Sequence, residues 1–440
     1  MSTKRKTPPK KQRRRRRSAP KALPTLLLFL LVAAFGVLYY LDLLPFELPA
    51  LDGGESTEET ILPEETTKTP ETTTAVDSEE STEETILPEE TTKTPETTTA
   101  IDQIASGNLS TEIVSTADLS IHFLELGNKY TGDCTYIKVG DVDILIDAGS
   151  RVGSISTITS YLNQYVSDGV LEYVIVTHAH QDHYAGFATG KTTKSIFDLY
   201  ECETIIDFAL TNQDPDAQMY SNYQRELQDE IANGATHYTA AECITQNLDS
   251  FALSETVTLT ILDSYYYYNT SSDENNYSVC VLLSESLGTD SRHYLFTGDL
   301  EEEGEEHLVE MNDLPEVELF KAGHHGSPTS SNECLLSIVK PKNVAVCCCC
   351  GSPEYTKNEA NQFPSQAFID RIAVYTRNVY VTTLCVDYEN SRFTSMNGNV
   401  VFVSASTTFT VYCSGSTDPL YLSDWFKANR TCPDPWKVAA

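Results

Sequence analysis

From residue 118 onward, short runs of branched apolar residues alternate with amphipathic stretches. The runs near 119–126, 134–138 and 142–147 predict strands, the stretch near 153–166 predicts a helix, and 172–177 predicts a further strand. A second helix is expected over 215–233. Strand-rich segments follow near 257–263, 277–284, 292–297, 317–321, 343–349, 379–386 and 399–412, with helices near 331–339 and 364–376. Two strand-rich blocks separated by helices fit an α/β domain over 118–440, with two sheets face to face and helices outside. That length is enough for one large core without disulfide staples.

The first quarter of the chain reads differently. Residues 1–41 carry eleven Lys and Arg and no acidic residue, and 23–41 form an uncharged, largely apolar run about long enough to cross a bilayer. A single transmembrane helix is therefore expected within 23–45. The basic tail 1–22 would be cytoplasmic and everything after about residue 46 outside, because positive charge stays inside. A cleaved signal peptide ending near Leu48-Pro-Ala50 is the alternative, and the length of the apolar run argues against it. Residues 46–117 predict a disordered tether rich in Thr, Glu and Pro. Its segment 55–75 recurs unchanged as 80–100 and is too poor in apolar residues to bury anything.

Candidate chemistry concentrates at Val174-Ile-Val-Thr-His-Ala-His-Gln-Asp-His-Tyr-Ala-Gly186. His178, His180, Asp182 and His183 lie in six residues, in a chain with nine His in all. On an extended exit from a strand, side chains at i and i+2 point the same way, so His178 and His180 can grip one metal ion. A following helical turn would bring Asp182 and His183 back beside them for a second. Imidazoles with a carboxylate suit zinc and similar divalent ions.

This segment resembles the HxHxDH signature of the metallo-β-lactamase-fold hydrolases. Leu119-Ser-Ile-His-Phe-Leu-Glu-Leu-Gly127 resembles that fold's opening strand, and Asp141-Val-Asp-Ile-Leu-Ile-Asp-Ala-Gly149 its LIDAG strand, with Asp147 behind the metals. Glu274-Asn-Asn-Tyr-Ser-Val279, Leu295-Phe-Thr-Gly-Asp-Leu300 and Lys321-Ala-Gly-His-His-Gly-Ser327 resemble a narrower branch, the soluble hydrolase domain of ComEC-type DNA-uptake channels and its stand-alone secreted relatives. The resemblance implies an αββα sandwich and two divalent ions, zinc or manganese. Their ligands would be His178, His180, Asp182, His183, Asp299 and His324. Asp182 would also orient the attacking hydroxide. His325 would be a substrate-side or supporting group, although the roles of His324 and His325 could be reversed, and Ser327 could donate to an oxyanion.

Two departures stand out. Many relatives bring another His to the first ion, and only His237 and His293 lie in the right interval. Where the branch has a His before Pro, this chain has Phe363.

Composition narrows the rest. Residues 118–440 hold 45 acidic against 17 basic residues, which opposes loose binding of a polyanion, so no stable nucleic-acid complex is expected. The expectation is a membrane-tethered extracellular hydrolase acting on a phosphodiester or other anionic substrate, a cell-wall polymer before DNA. A non-catalytic surface protein that keeps the fold for binding is the rival. The run Cys347-Cys-Cys-Cys350 reads as a buried strand, because neighbouring strand residues face opposite ways and cannot all reach one ion. Cys413 and Cys432 are candidates for a C-terminal disulfide. Tyr265-Tyr-Tyr-Tyr268 reads equally as a stacking surface for a sugar or base and as a strand edge with alternate rings buried.

Overall fold

The computed structural model describes residues 103–106 and 109–437. The expected tail 1–22, the transmembrane helix within 23–45 and most of the tether lie outside the described residues. Among the described residues no helix is long and apolar enough to cross a membrane.

Two sheets organise the described chain, with strands numbered in chain order. The first contains β1 (Gln103–Ser106), β2 (Leu119–Phe123), β3 (Thr135–Val139), β4 (Val142–Ile146), β5 (Val170–Val176), β6 (Glu201–Asp207), β7 (Thr236–Thr239), β16 (Val400–Ser404) and β17 (Phe409–Cys413). Its order is β1-β17-β16-β2-β3-β4-β5-β6-β7. The second contains β8 (Ser250–Ala252), β9 (Val257–Ile261), β10 (Val281–Leu287), β11 (Asp290–Phe296), β12 (Leu319–Lys321), β13 (Asn343–Cys350), β14 (Val379–Asp387) and β15 (Arg392–Ser395), in the order β15-β14-β13-β12-β11-β10-β9-β8.

The inner faces interlock through large rings. Phe123 lies 6.3 Å from Phe296, Tyr294 lies 6.0 Å from Phe409, and Tyr380 lies 6.0 Å from Phe402, each pair spanning the two sheets. These side chains are essentially fully buried, so truncating one to Ala would cost about 3–5 kcal/mol. Outside the second sheet, Leu335, Leu336, Phe368 and Ile369 of the helices Glu333–Val339 and Gln366–Ile372 pack on Val344, Val346, Cys348 and Cys350. The opposite-facing Ala345 and Cys347 join the core between the sheets. The four-cysteine run is thus a two-faced buried strand, as alternation requires.

β4 runs parallel to β5, and β11 runs parallel to β12. Their C-terminal ends deliver four loops to one crevice, the usual place for chemistry in parallel α/β sheets.

Several expectations are corrected. Ordered structure begins before 118. β1 pairs in parallel with β17, and the helix Thr111–Thr116 is capped by Ser110 and seated by the buried Val114. These pieces are too short to show a period in sequence. The strand-rich segment expected at 399–412 is the hairpin β16–β17. β6, β7 and β8 were not anticipated, being short or mostly polar on one face. Cys413 and Cys432 are free thiols, one in the core between the sheets and the other outside the second sheet. The Tyr run is a tight 3-10 turn that buries Tyr266 and Tyr267 and exposes Tyr265 and Tyr268.

Candidate metal centre

Strand β4 leads into Asp147, and the chain then passes beneath the His-rich loop. At Gly149 a Cβ atom would stand 1.5 Å from the carbonyl oxygen of Asp182, so only glycine allows this approach. Ala148 N donates to His183 O at 2.7 Å, tying the two loops together. Asp147 orients the loop from behind. Its carboxylate accepts from Thr177 N (2.8 Å), Thr177 Oγ1 (2.8 Å) and His183 Nδ1 (2.8 Å).

Those bonds decide which ring nitrogen carries the lone pair. With Nδ1–H committed to Asp147, His183 turns Nε2 toward Asp299 Oδ2 at 3.0 Å and His325 Nε2 at 3.3 Å. The proton of Thr177 Oγ1 lies on Asp147, so that oxygen accepts from His178 Nδ1 at 3.1 Å. His178 Nε2 then faces His180 Nδ1, 3.1 Å away. His325 donates Nδ1–H to the carbonyl of Cys347 at 2.9 Å. Its Nε2 points at Asp182 Oδ2 (3.3 Å) and Asp299 Oδ2 (3.1 Å). Imidazole nitrogens and carboxylate oxygens therefore converge, an arrangement that suits a cation. Backbone and carboxylate acceptors behind ligand imidazoles are the usual support of metal sites.

The carboxylates also favour positive charge among the imidazoles. Burial works against charge on His183, but Asp299, Asp147 and Asp133 outweigh it and lift its pKa to about 10. Burial opposes ionisation of Asp299 too, yet the cationic groups around it, His183 first, hold its pKa well below the usual range. His178 is depressed by burial and stays neutral. Ligand atoms from Asp133, His183, Asp299 and His325 all lie within 4.8 Å of one another and could hold an ion. Within this group Asp133 is set apart, because the buried ammonium of Lys321 contacts its carboxylate directly and also lies 3.4 Å from Asp299 Oδ1. Lys321 therefore competes for Asp133, whereas Asp182 has no Lys or Arg beside it. His178, His180 and Asp182 lie against this group, through the His178–His183 rings (4.2 Å), the His178–His180 contact and the His325–Asp182 contact.

One placement differs from the sequence expectation. His324 does not enter the cluster. Its Nδ1 lies 3.2 Å from Glu301 Oε1 and 3.4 Å from Thr329 Oγ1, and the ring is partly exposed. The adjacent His325 is fully buried and turned inward. Both residues are left-handed (φ 46° and 55°), so the loop after β12 does not continue the strand's alternation. Left-handed backbone costs about 1–2 kcal/mol per non-glycine residue, here held by the buried anchor of His325 on Cys347.

The interval His residues also stay away. His237 Nε2 meets Asp207 Oδ1 at 2.9 Å, and His293 bonds to Ser284 and Ser291. Phe363 packs its ring 5.8 Å from that of His325. Ser327 Oγ bonds to Thr329 Oγ1 at 2.8 Å.

Residues 127–196 match the family model of the metallo-beta-lactamase superfamily. The fold is metallo-β-lactamase-like. No curated protein matches the chain. Among solved structures, a metallo-beta-lactamase fold protein, YhfI from Bacillus subtilis, is 12% identical, covering 61% of this chain and 96% of its own at a TM-score of 0.33. Unliganded yeast PDE1 is 11% identical, covering 62% and 99% at 0.35. BJP-1, a subclass B3 metallo-beta-lactamase of Bradyrhizobium japonicum, is 16% identical, covering 40% and 61% at 0.25.

Several supports of this metallo-β-lactamase-like site were not read from sequence. Glu274 Oε1 accepts from Ala179 N at 3.2 Å and Thr211 Oγ1 at 2.7 Å, bracing the loop between His178 and His180. Ser278 Oγ accepts from Asp299 N at 3.0 Å. Both lie in the segment 274–279 singled out by resemblance, which marked the place without the task. Lys321 opens the segment 321–327, likewise marked without its task, and Asp133 carried no signal. Tyr355, whose hydroxyl contacts Asp182 Oδ2, comes from a distant loop.

Proposed function

We propose that this chain is a metal-dependent phosphodiesterase of the ComEC-like branch, tethered to the outer face of a cell membrane and acting on a cell-wall phosphodiester in preference to DNA. The observation that supports hydrolysis most directly is the convergence of His178, His180, Asp182, His183, Asp299 and His325 at the mouth of the two sheets, with His178, His183 and His325 oriented by hydrogen bonds from behind. Two divalent ions, zinc or manganese, would supply an activated water and polarise the scissile phosphoryl oxygen.

The chain's own residues then have separable tasks. His178 and His180 would hold one ion, Asp182, His183 and His325 the other, and Asp299 would span both. Asp147, Thr177 and the carbonyl of Cys347 fix the imidazoles, and Lys321 keeps Asp133 and Asp299 apart by standing between them. His324, on Glu301, lies beside the reacting centre rather than in it. It borders an acidic flank of Asp273, Glu301, Glu302, Glu303 and Glu306. That flank, together with 45 acids against 17 bases in 118–440, disfavours a long polyanion lying across the site. A compact or interrupted phosphodiester is easier to admit.

Turnover of bis-p-nitrophenyl phosphate by the purified full-length chain tests the reading. Metal-dependent release of nitrophenolate, abolished by His178→Ala with His180→Ala, is the expected result. Equal hydrolysis by that double variant would refute the site, and no hydrolysis by the metal-loaded wild type would refute the activity.

A further inference from the structure

On the open side of the cluster the loop between β13 and the helix Gln366–Ile372 closes over Asp182. Its ends are pinned. Gly351 N donates to Phe363 O at 2.8 Å, and Arg430 donates to Gln362 O at 2.7 Å and to Pro364 O at 3.1 Å. Its middle is pinned as well. Glu354 accepts from Thr131 N at 2.9 Å and from Arg151 Nη2 at 2.6 Å. The next residue, Tyr355, therefore has a fixed starting point. Its ring packs on Phe363, centroids 5.4 Å apart, and its hydroxyl reaches Asp182 Oδ2.

Two facts set this tyrosine apart from a structural one. The residue is 50% exposed, so its ring borders solvent while its hydroxyl sits on a carboxylate of the cluster. Other side-chain donors at and near the cluster are committed elsewhere: Lys321 to Asp133 and Asp299, Arg151 to Glu354, and Ser327 to Thr329. Phe363 gives the cleft a ring with no donor. Tyr355 thus brings a neutral donor to a carboxylate of the cluster from a half-exposed position.

Resting on the phosphodiesterase reading, we propose that Tyr355 is a catalytic residue. Its O–H leaves Asp182 and donates a hydrogen bond to a non-bridging phosphoryl oxygen. Negative charge gathers there while the bond from the attacking oxygen to phosphorus forms and the bond to the leaving oxygen breaks. No proton changes owner in this contact. The leaving oxygen takes its proton from water, and Tyr355 returns to Asp182 when the product departs. A neutral donor aimed at developing charge is an oxyanion-hole device, whose removal lowers kcat by roughly 10²–10³-fold in enzymes where it has been dissected.

Tyr355→Phe in the full-length chain keeps the ring on Phe363 and removes only the donor. Three readouts are taken together: metal stoichiometry by elemental analysis, affinity for inorganic phosphate by calorimetry, and kcat and KM for bis-p-nitrophenyl phosphate. The expected result is unchanged stoichiometry, phosphate bound about tenfold more weakly, and kcat down by roughly 10²-fold with KM nearly constant. Phosphate affinity and kcat equal to wild type overturn the proposal. So does lost metal with unchanged phosphate affinity per bound ion, which would make Tyr355 a clamp on Asp182 alone. A wild type that binds phosphate without turnover removes the hydrolase reading, and the affinity ratio then decides the tyrosine's contact by itself. A wild type that binds neither metal nor phosphate removes both.

Discussion

His183 donates Nδ1–H to Asp147 Oδ2 at 2.8 Å and so presents Nε2 to Asp299 Oδ2 at 3.0 Å. The contact joins the two sheets at the crevice, since Asp147 and His183 follow strands of the first sheet and Asp299 follows a strand of the second. Asp147→Ala should leave the six donors in place but free the His183 ring to turn. Metal affinity is expected to fall by about 10–100-fold, as when other carboxylates behind metal-bound imidazoles are lost. Competition with a chromogenic chelator measures it.

The two adjacent histidines after β12 should behave differently. His325→Ala removes a buried nitrogen that faces Asp182, Asp299 and His183, and the protein should bind one ion fewer. His324→Ala removes a ring turned to Glu301, and stoichiometry should be unchanged. Elemental analysis of the two variants decides this, and the opposite pattern would restore His324 as the ligand.

Lys321 is fully buried between Asp133 and Asp299. Replacing it with Met leaves two carboxylates without their cation, and breaking a buried charge pair from one side costs about 3–5 kcal/mol. The metal-free variant should melt well below wild type. Saturating zinc or manganese should recover much of the difference, because a divalent ion beside Asp299 supplies the missing positive charge. Thermal melts with and without metal report both effects.

Glu305, on the helix Glu302–Met311, is buried beneath the loop that carries the two histidines. It accepts from Ser331 N and from the backbone and side chain of Asn332. Burial outweighs those donors and pushes its pKa up to about 7, against about 4.3 in an unfolded chain. The folded state therefore holds this proton more tightly. The stability it contributes is complete below about pH 4.3 and is lost as pH rises through about 7. Wild type should lose stability between pH 5 and 8 more steeply than Glu305→Gln. The metal centre titrates equally in both proteins, so the difference between their melting curves isolates this group.

Much of the centre was legible because its parts are local. His178, His180, Asp182 and His183 sit on one strand exit and one helical turn, and the structure brings them together with Asp299. Asp147 follows a recognisable strand and stands behind His183. Most strands of the two sheets and the helices near 153–166, 215–233, 331–339 and 364–376 were legible from alternation. The choice between His324 and His325 was not, because two successive left-handed residues overturn the facing that a strand exit suggests. Asp133, Lys321 and Glu274 act through contacts with residues far away in sequence, which no spacing encodes. The loop of Tyr355 lies 173 residues from its partner Asp182. The pieces before 118 were hidden because a four-residue strand and a six-residue helix show no period.

The central claim is that the crevice is a two-ion centre. Elemental analysis of the purified full-length chain, after saturation with zinc and removal of excess, tests it most directly. Two ions per chain are expected, the His178–His180 site releasing its ion first to a chelator because no third imidazole supports it. A chain that retains no metal above trace would contradict the account.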